Sequence, residues 1–261
     1  MSRCLPKNNR VYDNGYDLSG HARTIGPIKW ECEKAIFDPM ADPQKSSLGG
    51  QVVVGLGTLN ALFDNTAVTG SHARLSGGYG SMHTVVVAAG MEAAPANNGV
   101  AIAGQFLQKN YPVEATANPT VLSIDFDDTY SVAAGNLAYC APWGVLLHAN
   151  AAETAVNSTT YHDGLGATTT GGFMVYQVLT AAGTGNITAA IKVQDSVDTT
   201  SGNFGDLLSS GVINCGSGGV AVPTSGLVAL SPSATVKRYT RWNLTFTLAT
   251  SVTFVLAFCR G

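Results

Sequence analysis

The sequence predicts an all-β fold: two β-sandwich or barrel-like units, each with a short flanking helix. Three observations predict it. Short runs rich in Val, Ile, Thr and aromatics alternate with period two. Glycine and Asn/Asp/Ser turn signals separate them. Charged residues make up only 12% of the chain, against about 25% in an average soluble protein.

Elements follow in order. Residues 1–27 are polar and turn-rich, with Asp13-Asn14-Gly15 and Ser19-Gly20 as turn signals. They read as an extended N-terminal arm that orders on contact with a neighbour. Residues 28–37 (IKWECEKAIF) alternate loosely, as an edge strand does, and 38–50 hold Pro39, Pro43, Gly49 and Gly50, as a loop does. Residues 51–59 (QVVVGLGTL) form a glycine-bounded strand. Residues 60–75 are the helix candidate of the first half, with Asp64 or Asn65 as cap and Gly70 against it. Strands are expected at 83–90, 99–107 and 120–126.

A boundary within 130–143 divides a first unit, 28–138, from a second, 139–261. The second carries expected strands at 144–148, 171–180, 186–196, 225–231, 236–249 and 251–260, with a short helix at 203–210 (NFGDLLSS). In 239–248 one face holds Tyr239, Arg241, Asn243, Thr245 and Thr247. The other holds Thr240, Trp242, Leu244, Phe246 and Leu248. One wet face and one dry face suit an antiparallel sheet over a core.

Size and charge bound the function. A chain of 261 residues buries roughly 70–75% of its unfolded surface and needs no metal or disulfide to fold. So little charge implies a surface covered by other subunits, because a free monomer relies on charge for solubility. Net charge is −3 with no basic stripe, which argues against a nucleic-acid grip. No Lys or Arg lies between Asn110 and Ile191, where Glu114, Asp125, Asp127, Asp128, Glu153 and Asp163 all fall. Such a face lets DNA pass without sticking; solvated loops explain it equally. The five cysteines (Cys4, Cys32, Cys140, Cys215 and Cys259) form no CxxC and read as reduced thiols. MSRCLPKNNR lacks the apolar core of a signal peptide, and no apolar run is long enough to anchor in a membrane.

The search for chemistry returns weak signals. Gly55-Leu56-Gly57 lacks the third glycine of a dinucleotide fingerprint, because Asn60 stands there. Asp125, Asp127 and Asp128 cluster at a strand end and are a cation candidate, but no D-x-D-x-D-G loop surrounds them. His21, His72, His83, His148 and His162 form neither H-x-H nor HExxH; His162-Asp163 reads as a subunit contact. Lys192-Val-Gln-Asp195-Ser196-Val-Asp198 reads as a hairpin tip, with a carbohydrate or Ca²⁺ role as the sharper alternative. No G-x-S-x-G elbow occurs. The expectation is no enzyme, no cofactor and no metal.

Several segments together carry a resemblance. Tyr12-Asp13-Asn14-Gly15-Tyr16-Asp17-Leu18-Ser19-Gly20 resembles the D-G-x-D-L-S-G opening of siphophage-like major tail tube proteins of tailed bacteriophages. GLGTLNALFD (55–64) is similar to their G-x-x-x-x-x-F-D words, and IKVQDSVD, FGDLL, VKRYTRW and TFVLAFCRG resemble their later part. IFDPMADPQKSS stands where their Thr-Gly-Asp words are expected. The resemblance implies β-sandwich units assembled into stacked rings, trimeric or hexameric, around a lumen for DNA. It implies contacts with other tail or neck proteins, manufacture in the host cytoplasm and residence in the virion. Two other readings stand beside it: a capsid decoration or head–tail connector protein, and a carbohydrate- or receptor-binding jelly roll over residues 144–261. Aromatic loop clusters would favour the latter, whereas Trp143 and Trp242 sit in or next to expected strands.

Overall fold

The asparagine–glycine pair at 14–15 forms the turn its chemistry favours. In the computed structural model, which describes residues 8–37, 46–90, 93–115, 119–127, 143–154, 158–217 and 223–261, both have positive φ, 49° and 85°. That closes a two-residue hairpin between β1 (Arg10–Asp13) and β2 (Tyr16–Asp17). β3 (Ala22–Gly26) follows. β4 (Lys29–Phe37) and β5 (Ser46–Gly55) pair with each other as a separate two-stranded sheet. At Gly57, φ is +77° and an added Cβ would lie 2.4 Å from the Pro27 carbonyl oxygen, so the entry to β6 (Gly57–Leu62) needs glycine.

The helix expected over 60–75 is much shorter. Residues 57–62 stay extended because their alternation buries Leu59 and Ala61, and β6 pairs with β3. Asp64 then bends the chain, accepting from the Thr66 backbone at 2.8 Å, and Gly70 delays α1 to Ser71–Leu75. Beyond it run β7 (Met82–Ala88), β8 (Gly99–Gln108), β9 (Val113–Glu114) and β10 (Val121–Asp127). Residues 10–26 are not a free arm. β1 lies along β7, with Val11 opposite Val87, and Val11, Tyr12, Asp13 and Leu18 are buried. Residues 1–7 lie outside the described part.

The second half contains β11 (Trp143–Glu153), β12 (His162–Asp163), β13 (Gly172–Ser196), β14 (Gly205–Ser209), β15 (Ile213–Ser217), β16 (Thr224–Ala229) and β17 (Tyr239–Arg260). The expected helix at 203–210 is a 3-10 turn (Ser201–Asn203) followed by β14. Pairing decides the matter: β14 lies against β13, and Asp206 bonds Lys192 at 2.5 Å and Gln194 at 2.8 Å across the ladder.

The four strands expected at 171–180, 186–196, 236–249 and 251–260 are two. β13 and β17 form one ribbon, paired from Gly172 with Arg260 to Ser196 with Tyr239. It bends where five steps along β13, from Gly183 to Thr188, answer two along β17, from Ala249 to Thr247. An added Cβ at Gly183 would lie 2.2 Å from the Leu248 carbonyl oxygen, so the crossover requires glycine. The bend folds the ribbon over its own core. Met174 and Val178 from one limb and Ile187, Ile191 and Val193 from the other join Trp242, Leu244, Phe254 and Leu256 in one cluster. The expected dry face holds at Trp242 and Leu244 but not at Leu248, which is 56% exposed at the bend. On the opposite face Arg241 is covered: its guanidinium stacks 4.2 Å over Phe204 and bonds Gln194 and Ser201.

All the described pairings are antiparallel. Fifteen strands make one curled sheet whose main path is β14-β13-β17-β11-β8-β10-β6-β3. A second cluster, with Leu18, Leu59, Phe106, Ile124 and Phe126, lies within the first half. A third is shared: Tyr12, Val86 and Ala103 pack with Leu146, Phe173 and Val255. β8 pairs with β11 across the same seam. Gln177 rivets it, fully buried: its amide donates to the Thr84 carbonyl at 2.7 Å and its oxygen accepts from the Gly15 N–H at 2.5 Å. Gln177→Ala strands the Gly15 N–H, while the Thr84 carbonyl keeps its bond from the Asn14 N–H at 3.0 Å. Urea unfolding should show a loss of about 1–3 kcal/mol, the cost of one unsatisfied buried group.

Candidate assembly surface

Among the described residues the main path of the sheet is open at both ends. Among the described residues β3 pairs only with β6, and β14 only with β13. An open border presents N–H and C=O groups ready for another strand. Among the exposed large apolar residues, Val100 and Trp143 lie on the β8–β11 seam, and Tyr161 and Leu165, the latter 89% exposed, flank β12.

Val100 and Trp143 line a pocket of about 200 Å³ where β8, β11, β12 and β17 meet, and Tyr161 and Leu165 each adjoin one of its lining residues, His162 and Gly164, in sequence. Val100, Trp143, Val145 and Phe258 give it apolar walls, and Asn98, His162, Thr240 and Arg260 add polar groups. The Thr240 hydroxyl is buried without a hydrogen-bond partner. Arg260 donates to three backbone carbonyls, of Gly164, Gly166 and Lys237, the Gly166 bond at 2.7 Å. Its bonding partners are neutral carbonyls; among the described residues no carboxylate reaches it at bonding distance, and Asp195 and Asp163 act on its charge from farther off. Burial, then the Arg260 charge, lowers the pKa of His162. The next residue, Asp163, grips Arg238 with two bonds of 2.8 and 2.7 Å, and its pKa falls to about 2. The pocket can accept an acidic group carried on an apolar body.

Elsewhere a buried pair has the outline of catalytic machinery. His83 Nδ1 lies 2.8 Å from Asp13 Oδ2, and both side chains are almost fully buried. Burial opposes charge on His83, but the Asp13 bond and charge and the Gly78 carbonyl outweigh it, and the pKa is raised. The geometry ends there, because Nε2 faces the Gly78 carbonyl at 3.3 Å, not a hydroxyl or thiol. Asn14 adds a contact to the ring at 3.2 Å and bonds the Thr84 backbone. The arrangement locks β1 to β7. A side chain at Gly78 would collide with this ring, its Cβ 2.1 Å from Nε2.

The remaining sequence candidates disperse. Asp125 is occupied by Thr58 at 2.6 Å and by Asn110 at 2.5 Å; the side chain of Asp127 and all of Asp128 lie outside the described residues. Among the described residues no group of three His, Cys, Asp or Glu could hold a metal. His21 meets Asp64 at 3.6 Å, and His72 meets the Tyr111 hydroxyl at 2.7 Å. His148 is buried, stacked on Phe254. Asp195, in the expected hairpin tip, pairs with Lys237 at 3.3 Å. Sequence reasoning singled out His162-Asp163 but missed the pocket beside it, whose walls come from five distant segments.

No family model matches the sequence, and no curated protein does. Among solved structures the chain is similar to the SPP1 Dit protein, described as a paradigm of the hub adsorption apparatus in Gram-positive-infecting phages. That likeness covers 97% of this chain and 99% of that one, at 10% identity and a TM-score of 0.34. So loose a superposition carries no argument about this chain.

Proposed function

We propose that this chain is a structural virion protein whose copies join edge to edge into rings, and whose rings stack into the tail tube of a bacteriophage. One observation carries the reading: a fifteen-stranded antiparallel sheet that, among the described residues, is open at β3 and at β14. Two borders on one path suit head-to-tail closure, in which each copy completes the next by main-chain hydrogen bonds. The β4–β5 hairpin points the same way. It pairs with no other strand among the described residues, and a lone two-stranded hairpin is marginal in water. A neighbouring copy supplies the missing surface. The low charge content fits a surface largely covered in the assembly. The D-G-x-D-L-S-G resemblance names the kind of assembly. In this role the polar groups brace backbone and perform no turnover, and DNA passes through the lumen without sequence-specific contacts.

Negative-stain microscopy of the purified chain tests this. Rings or stacked tubes are the expected result. Isolated particles at every concentration overturn it, and knobs bound on a capsid surface would mark a decoration protein instead.

A further inference from the structure

Resting on that assembly, we propose that the pocket beside Trp143 is the socket for a specific corner of a second copy: β9, with Val113 against the apolar walls and Glu114 on Arg260. The socket is built before anything fills it. Its cation is held in place by three carbonyls, and the guanidinium's five N–H groups exceed what those bonds use. Thr240 is among its lining residues and is 1% exposed. Its rim exposes Val100 at 56% and Trp143 at 47%. Its volume of about 200 Å³ is ample for a side chain to enter.

Charge complementarity selects the occupant. Among the residues whose side chains are described, Asp13, Asp17, Asp64, Asp125, Glu153, Asp163, Asp195, Asp198 and Asp206 all hold polar partners. Glu114 has none. It is exposed, sits on a two-residue strand at the sheet margin that among the described residues pairs only with β10, and follows Val113, which is 42% exposed. An apolar residue followed by a free carboxylate matches a socket with apolar walls and a guanidinium that bonds only neutral carbonyls and has N–H groups to spare, with Asp195 and Asp163 acting on it only at longer range. Arg260 and Glu114 lie on different patches of one chain, so the contact is head-to-tail and compatible with a ring.

Two experiments on the full chain test the contact. Glu114→Lys, an exposed change, should weaken self-association at least about tenfold in sedimentation velocity, as expected when a desolvated charge pair is lost. Copies carrying Val113→Cys, mixed with copies carrying Val100→Cys and oxidised, should yield a disulfide between positions 113 and 100, identified by peptide mass mapping. Assembly unchanged by Glu114→Lys, with no such disulfide, overturns the socket while leaving the ring reading intact. A chain that stays monomeric at all concentrations overturns both.

Discussion

Replacing His83 by leucine is expected to destabilise the fold by about 3–5 kcal/mol at neutral pH, the cost of stranding one member of a buried ion pair. Asp13 is 3% exposed, and its carboxylate has no route to water once the imidazole is gone. That is a large share of the roughly 5–15 kcal/mol that holds an ordinary domain together. The effect has a pH signature. The pKa of His83 is raised in the folded state, so its contribution is fully present below the unfolded value near 6.5 and fades as pH rises through the folded value. The wild-type chain should therefore lose stability on the alkaline side. In the variant the stranded Asp13 carboxyl relieves itself by taking up a proton, so the loss shrinks as pH falls toward 5. Urea unfolding of both proteins at pH 5, 7 and 9, at one protein concentration, reads these trends. A deficit under about 1 kcal/mol at pH 7 would show that the pair does not lock β1 to β7.

Phe254→Ala is expected to cost about 3–5 kcal/mol, the range for removing a buried aromatic ring. Phe254 is fully buried on β17, opposite Val178 on one side and Ala151 on the other. Its ring stacks on His148 at 3.9 Å and meets Trp242 edge-on at 5.6 Å. No backbone bond is deleted, so the loss reports packing. Leu248→Ala is the control: it lies at the bend of the same strand, 56% exposed, and should change stability by no more than about 0.5 kcal/mol. Equal effects at the two positions would contradict the placement of the core beneath the bent ribbon.

Local rules were readable in the sequence wherever local chemistry decided the structure. Asn14-Gly15 announced its hairpin, and the alternation around Trp242 and Leu244 announced a half-buried strand. Residues 83–90, 99–107 and 120–126 became β7, β8 and β10 with shifts of a residue or two at their ends. What local chemistry does not decide went astray. The helix pattern at 203–210 yielded to a ladder with β13, formed by residues ten or more positions away. The glycines at 183 and 185 read as a break between strands, when they bend one continuous ribbon. The polar opening read as an arm because nothing in it predicts β7 as its partner. The seam and its pocket were invisible for the same reason: residues 98–100, 143–145, 162–164, 240 and 258–260 converge only through long-range pairing.

Completion of the sheet's two borders by other copies is the claim on which the function turns, and hydrogen exchange at those borders measures it most directly. The backbone amides of β3, residues 22–26, and of β14, residues 205–209, should exchange slowly in concentrated, assembled protein and quickly in dilute protein. The buried β7 amides at 85–87 should stay slow in both and serve as the reference. Exchange at both borders that ignores protein concentration, while rings are present, would contradict the edge-to-edge account.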